Sequence, residues 1–208
     1  IERSSLADTF SPYFRWGAAA YQHHKDSGLR WAFGVYKNDA FGATGKDEDG
    51  ALTLSYTGRL TWALANEKQI WHMGFWHSER EMGGNQLSAK LARGEIRRTN
   101  TRLLDYAVGG EVAELDSLSQ SGLEFAFQHQ SMTVEAEYAR RTLDTFLDTS
   151  PLDDSVQQGY HVSLSYFPGG EVRPYHAGNA LFNQPKNIRN AWELMARVSR
   201  MDASTETQ

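Results

Sequence analysis

The chain has 208 residues, of which 40% are hydrophobic and none is cysteine, and its formal net charge is -5. This composition is that of one folded domain rather than a disordered chain, and the lack of cysteine excludes disulfide frameworks and Cys-based metal sites. No apolar run reaches the roughly 18 residues of a membrane-spanning helix. Strands could still span a membrane, because apolar and polar residues alternate along the strands of a barrel and no long apolar run is needed.

Apolar and polar side chains alternate with a period of two residues along much of the chain. In chain order, the predicted strands lie at residues 13–22, 29–36, 57–64, 71–76, 123–127, 132–141, 160–166 and 192–199. Successive side chains of a strand point to opposite faces, so each predicted strand has one apolar and one polar face. The pattern predicts an all-β antiparallel fold.

The connections between these strands alternate in length. Short turns are expected near 25–28, 66–68 and 129–130, and longer polar loops at 38–50, 78–118 and 142–158. Outer-membrane barrels have short periplasmic turns and long extracellular loops, so the asymmetry gives a direction to each strand. It places the segment 167–189 on the periplasmic side or inside the lumen. The segment 81–91 is the one place where a short helix is expected.

Arginines recur on the polar faces, and a pore for anions needs fixed positive charge on its water-filled side. The set comprises Arg15, Arg30, Arg59, Arg141 and Arg197. Any one of them is also explained as a solvated surface arginine, but together they favour an anion pore. Glutamates share the same predicted faces, at positions 124, 135, 137 and 193, and oppose a strong phosphate preference. A general anion porin fits these faces equally well.

Three segments carry a resemblance to a known family. These are the run 159–167, the Gly-Glu-Val-Arg-Pro-Tyr stretch at 170–175, and the Ala-Trp-Glu-Leu stretch at 191–194 followed by Ala196 and Arg197. Together they resemble the phosphate-selective porin O and P family of bacterial outer membranes. The opening Glu-Arg-Ser at 2–4 resembles a segment from the middle of such porins. The resemblance covers nearly the whole chain.

The resemblance implies a set of anion-binding positions. An arginine ladder on a loop folded into the channel would correspond to Arg93, Arg97 and Arg98, although Glu95 interrupts the basic series. Arg3 would be a constriction residue and Lys186 an exit lysine. With the polar-face arginines, the expected pore-lining residues are Arg3, Arg15, Arg59, Arg93, Arg97, Arg98, Arg141, Lys186 and Arg197.

The expected protein is therefore an outer-membrane porin for passive diffusion of anions, with phosphate or polyphosphate as the implied substrate. Residues 1–208 would form a partial antiparallel transmembrane β-barrel, about half of the roughly sixteen strands of general porins, with N- and C-terminal strands missing. The intact protein is expected to be a homotrimer in contact with outer-membrane lipid. No catalysis, cofactor, metal or nucleic-acid partner is expected.

The sequence gives less support to other classes of function than to a porin. The chain could be a soluble β-sandwich or barrel that binds a ligand, with the apolar faces packed together as a core. An outer-membrane barrel enzyme would need a catalytic constellation, and Glu135 with Glu137 lacks an accompanying nucleophile or histidine. His23 and His24 are adjacent, so on a strand they point apart and make a poor metal pair.

Overall fold

The fold is built on one long antiparallel sheet. The computed structural model describes residues 5–10, 15–37, 52–66, 69–83, 107–108, 111–112, 114–146, 153–185 and 190–202. A short helix, α1, precedes the strands at Ser5–Phe10. The strands are β1 Gly17–His24, β2 Leu29–Lys37, β3 Leu54–Ala65, β4 Gln69–Glu81, β5 Ala107–Val108, β6 Glu111–Val112, β7 Leu115–His129, β8 Met132–Thr145, β9 Val156–Tyr166, β10 Tyr175–His176, β11 Leu181–Phe182 and β12 Leu194–Asp202.

Eight of these strands form the main sheet, in the order β1-β2-β3-β4-β7-β8-β9-β12. Every neighbouring pair is antiparallel, and the short pairs β5-β6 and β10-β11 stand apart from this sheet. The expected all-β antiparallel architecture is confirmed. Among the described residues β1 and β12 are the edges of the sheet, which is not closed. No helix in this part of the chain is long and apolar enough to cross a membrane.

Short turns join the strands at one end of the sheet, as expected. At the turn between β1 and β2, Gly28 has φ +69°, a conformation that glycine adopts without steric penalty. Its amide donates to the His24 carbonyl at 2.9 Å, and its own carbonyl accepts from Ala63 of β3 at 3.0 Å. A side chain at this position would collide with the Ala63 carbonyl oxygen. The glycine therefore fixes the register of three strands.

The sheet has one polar face, which is covered, and one apolar face, which is exposed. Buried polar residues include Ser55, Thr61, His72, Ser78, Gln120, Gln128, Thr133, Gln157, Ser163 and Ser165. Exposed large apolar residues include Leu60, Trp62, Leu64, Trp71, Met73, Phe75, Leu123, Tyr160, Val162, Leu164 and Tyr166. This distribution is the reverse of a soluble sandwich, whose apolar faces pack against each other. It is the distribution of a barrel with lipid outside and water inside.

Aromatic side chains on the apolar face gather toward the ends of the strands. Near the short turns, the Trp71 ring lies 4.4 Å from that of Phe127 and 6.2 Å from that of Phe125, centroid to centroid. Nearer the long loops, the Tyr138 hydroxyl donates to Gln158 Oε1 at 2.9 Å. Rings with one apolar side and one polar contact concentrate at membrane–water interfaces. The two aromatic levels are typical of the girdles of an outer-membrane barrel.

Several strands extend further toward the long loops than the alternation predicts. β4 continues through Glu81, so the expected helix at 81–91 does not begin there, and its residues from 84 onward lie outside the described part. β7 begins at Leu115 rather than near 123. In the additional residues of β4 and β7, the face that is apolar elsewhere carries polar side chains. In the register of the two strands, Glu79 lies opposite Ser119 and His77 opposite Ser121. The alternation fades because both faces are polar there.

Candidate functional site

A continuous polar network crosses the polar face from β3 to β7. Arg59 of β3 donates through Nε to Glu124 Oε1 at 2.8 Å and through Nη2 to Oε2 at 2.5 Å. His72 of β4 lies on the other side of the same carboxylate, with Nε2 at 3.3 Å from Oε2. Arginine and a carboxylate match in this two-point geometry, which gives both strength and orientation.

A glycine makes this network possible. Glu124 is paired with Gly74 across the β4-β7 ladder, and its carboxylate extends over Gly74 toward β3. A Cβ at position 74 would lie 3.0 Å from Glu124 Oε2 and 3.2 Å from Glu124 Cβ. The absence of a side chain at Gly74 therefore lets a residue of β7 reach across β4 to an arginine of β3.

The long connection between β9 and β12 follows Tyr166, and its described residues 167–185 fold back over the polar face. The β10-β11 hairpin lies within it, and its tip accepts hydrogen bonds at two backbone carbonyls: Gly178 O from Arg30 Nε at 2.9 Å, and Ala180 O from Arg59 Nη2 at 3.3 Å. Nearer β8, Arg173 Nη1 donates to Glu135 Oε2 at 2.8 Å. Of the two positions expected for the segment 167–189, its described part, residues 167–185, lies on the polar face and reaches as far as β2.

Tyr175 joins the β9–β12 connection to the network. Its hydroxyl lies 2.7 Å from His72 Nδ1, and its ring packs edge-on against Phe182 at 5.1 Å. Burial raises the pKa of the Tyr175 hydroxyl to about 12, and the nearby Glu124 charge adds to this effect. The hydroxyl therefore keeps its proton at neutral pH. In the tautomer with its proton on Nε2, His72 donates to the Glu124 carboxylate, and its Nδ1 accepts from the Tyr175 hydroxyl.

Helix α1 covers another part of the polar face, nearer the long loops. Leu6 and Phe10 are buried with Ala139, and Trp76 and Met201 pack against them. Gln120 Nε2 donates to the Phe10 carbonyl at 3.1 Å. The sequence analysis did not predict this helix, which has only six residues and is too short to display a helical period.

The four predicted site arginines within the described residues all lie on the polar face. Arg15 Nη1 donates to Ser55 Oγ and Arg197 Nε to Ser163 Oγ, each at 2.9 Å. Arg59 belongs to the network described above. Arg141 is 2% exposed and donates to Gln157 Oε1 at 2.7 Å and to the Thr9 carbonyl at 3.2 Å, and it also lies over the Phe10 ring. It holds helix α1 on the sheet.

The remaining predicted site residues, Arg3, Arg93, Arg97, Arg98 and Lys186, lie outside the described residues. The sequence analysis placed Glu124, Glu135 and Glu137 on the polar face, where they lie. It did not identify His72, Arg173 or Tyr175 as members of the site. Two of these belong to a connection without a strand period, and His72 was one polar residue among many on β4.

Two adjoining cavities open on the polar face. One, of about 260 Å³, lies between helix α1 and the sheet, and the other, of about 220 Å³, lies between the sheet and the β10-β11 hairpin. Both are lined by Arg59, Glu124 and Glu137. Within the described ranges, no group of three or more metal-ligating side chains is suited to hold a metal ion.

Charged and hydroxyl-bearing side chains lie on the polar face of the sheet, and large apolar side chains lie on its other face. A sheet with one polar and one apolar surface is typical of the wall of an outer-membrane barrel. Comparison with known proteins agrees with this description. No curated protein matches the chain significantly. The family model described as phosphate-selective porin O and P matches residues 1–207, and the chain therefore belongs to this family of channel-forming outer-membrane proteins.

Proposed function

We propose that this protein mediates passive diffusion of small anions, with phosphate or polyphosphate as the main substrate, across the bacterial outer membrane. The proposal is carried by the distribution of side chains on the sheet, which is the reverse of that in a soluble protein. Serine, threonine, glutamine and arginine are buried on one face, and leucine, tryptophan and tyrosine are exposed on the other. A sheet of this kind separates lipid from water. The polar face is the wall of the passage.

We further propose that residues 1–208 are one part of a larger barrel. An open sheet edge leaves backbone groups unpaired, which is costly in a membrane. Strands beyond β1 and β12 would remove these edges, and about sixteen strands would make a general porin, of which the eight described here are about half. The exposed apolar face would contact outer-membrane lipid, and the intact protein would be a homotrimer.

Anion selectivity is assigned mainly to the arginines of the loop between β4 and β7. On the described wall, Arg59 and Arg173 are each paired with a glutamate, which offsets their charge locally. Arg93, Arg97 and Arg98 supply further guanidinium groups, whose planar fork matches phosphate oxygens. Arg3 and Lys186 are proposed to continue the positive charge toward the constriction and the exit.

The proposal is tested by the reversal potential of the complete protein in a planar bilayer under a chloride gradient, followed by titration with phosphate. We expect an anion-signed reversal potential and a chloride current that phosphate blocks. The double variant with Arg97→Ala and Arg98→Ala should lose the block. Arg140→Ala, which removes an exposed arginine from the apolar-facing side of β8, is the control and should keep it. A cation-signed reversal potential would reject the anion assignment.

A further inference from the structure

The cavity between helix α1 and the sheet combines apolar rings with acidic groups. Leu6 and Phe10 form its helical side, and Trp76 and Ala139 belong to the sheet. The charged lining consists of one arginine, Arg59, and the two glutamates 124 and 137, so its formal charge is +1 − 2 = −1. An apolar cavity with a few convergent polar groups is the usual form of a site for a small molecule.

Trp76 lies close to the neighbouring strand β7 at one side of this cavity. It faces Gly122 across the β4-β7 ladder, and a Cβ at position 122 would lie 2.3 Å from the indole Nε1 and Cε2 atoms. The indole therefore occupies the space that a side chain at 122 would fill. Because Trp76 also lines the cavity, its indole provides apolar contact surface for a bound group.

The two glutamates of the cavity differ in how their charges are compensated. The Glu124 carboxylate is bound at two points by Arg59 and is only 14% exposed. The Glu137 side chain is 43% exposed, and its Oε2 lies 3.7 Å from His161 Nδ1. That separation is too long for a good hydrogen bond. Glu137 therefore retains acceptor capacity toward the cavity.

We propose that this cavity is a binding subsite for small organic cations, primary amines carried on an aromatic or branched apolar body. The ammonium group would donate to the Glu137 carboxylate, and the apolar body would lie against Trp76 and Phe10, where ring packing adds to apolar contact. The volume of about 260 Å³ suits a solute smaller than the drug-sized ligands of typical pockets. This cation site is separate from the proposed passage of anions. It rests on the proposed function in one respect, which is that solutes must be able to reach the polar face.

The probe is phenethylamine, with phenylacetate as an anion that has the same ring. In a planar bilayer holding the complete protein, phenethylamine should reduce the chloride current. In Glu137→Gln the half-blocking concentration should rise about tenfold, the effect of losing one hydrogen bond between charged groups. Glu79→Gln also removes one negative charge, but from the apolar face of the sheet, away from the cavity. This variant should behave as the unsubstituted protein. In Gly122→Ala, which displaces the indole, the block should also weaken.

Titration calorimetry of the detergent-solubilised protein provides a readout that does not depend on transport. Phenethylamine should bind about tenfold more weakly to Glu137→Gln than to Glu79→Gln. Equal binding by these two variants, or tighter binding of phenylacetate than of phenethylamine to the unsubstituted protein, would overturn the inference. An anion-signed reversal potential together with either result would leave the proposed porin function standing. Amine binding without any channel activity would instead reject the porin function and keep the subsite.

Discussion

Arg59 and Glu124 form a two-point ion pair between strands that are not neighbours, because β4 lies between β3 and β7. The same arginine donates to the Ala180 carbonyl, and the same carboxylate faces His72, which contacts Tyr175. The pair therefore joins the wall of the sheet to the β9–β12 connection. Changes at either residue should alter both the stability of the protein and its permeation.

Gly74→Ala should disrupt this pair without removing either charge. The new Cβ would press on the Glu124 carboxylate, and the loss of the two-point geometry should lower the free energy of unfolding by about 1–2 kcal/mol. Urea unfolding of the refolded protein measures this change. Gly58→Ala is the matched control, since a Cβ at position 58 of β3 meets nothing within 4 Å. A loss of stability in Gly58→Ala as large as that in Gly74→Ala would show that the effect is a general one of glycine in strands.

Glu124→Gln should make the passage more selective for anions. The substitution removes the negative charge that offsets Arg59 and leaves the guanidinium group on the wall. A unit charge about 10 Å from a permeating ion in water contributes about 0.4 kcal/mol, with opposite sign for an anion and a cation, so the anion-to-cation permeability ratio should rise about fourfold. The ratio is obtained from the reversal potential under a potassium chloride gradient. An unchanged or lower ratio in Glu124→Gln, relative to Glu79→Gln, would contradict the assignment of Arg59 to the passage.

Tyr175→Phe should weaken the attachment of the β9–β12 connection and show a characteristic alkaline dependence. Removing the hydroxyl abolishes its contact with His72 Nδ1 and should cost about 1 kcal/mol of stability. Burial raises the pKa of Tyr175 from its ordinary value of 10.0 to about 12, so the folded protein favours the protonated hydroxyl. Its contribution is fully present below pH 10 and is lost as the pH rises toward 12.

The difference in unfolding free energy between the unsubstituted protein and Tyr175→Phe should therefore be constant from pH 7 to pH 10 and then shrink up to about pH 12. Tyr138→Phe provides the comparison, because this tyrosine lies on the apolar face, outside the network. If the two variants have the same alkaline profile, the contact between Tyr175 and His72 does not contribute as described.

Arg141→Ala should detach helix α1 from the sheet. The buried guanidinium group donates to the Thr9 carbonyl and to Gln157, so its loss leaves these acceptors without their partner and should cost about 2–3 kcal/mol. Arg140→Ala, one residue away on the opposite face of β8, should change stability by less than about 0.5 kcal/mol. Protease susceptibility near the N-terminus distinguishes local release of the helix from global unfolding, and equal effects of the two variants would argue against the anchoring role.

The faces of the sheet could be predicted from the sequence because the strand period is two and one face is apolar. Trp62, Met73 and Phe125 lie on the exposed face, as their alternation predicts. The positions of Arg15, Arg59 and Arg197 on the polar face follow from the same rule. Local alternation is sufficient for these inferences. If a strand shifted its pairing by one residue, all of its apolar side chains would move to the polar face, so the sequence pattern determines which face each residue occupies.

The contacts across the polar face could not be predicted in this way. Glu124 reaches Arg59 because Gly74 leaves space on a third strand, and Tyr175 reaches His72 from a connection 103 residues away in sequence. Such contacts depend on the folded shape of the whole sheet and not on a repeating local pattern. The anchoring role of Arg141 was missed for the same reason, since the helix that it holds has no pattern of its own.

The tip of the β10-β11 hairpin is attached through main-chain oxygens, those of Gly178 and Ala180, rather than through side chains. Every amino acid supplies such an oxygen, so this attachment tolerates sequence drift in the hairpin as long as the turn keeps its shape. Position 180 is the constraint, because its φ of +53° admits asparagine or glycine more readily than branched residues. The side chains of the hairpin can therefore change, and with them the polarity and charge of the passage. The hydrogen bonds from Arg30 and Arg59 to the hairpin backbone remain the same.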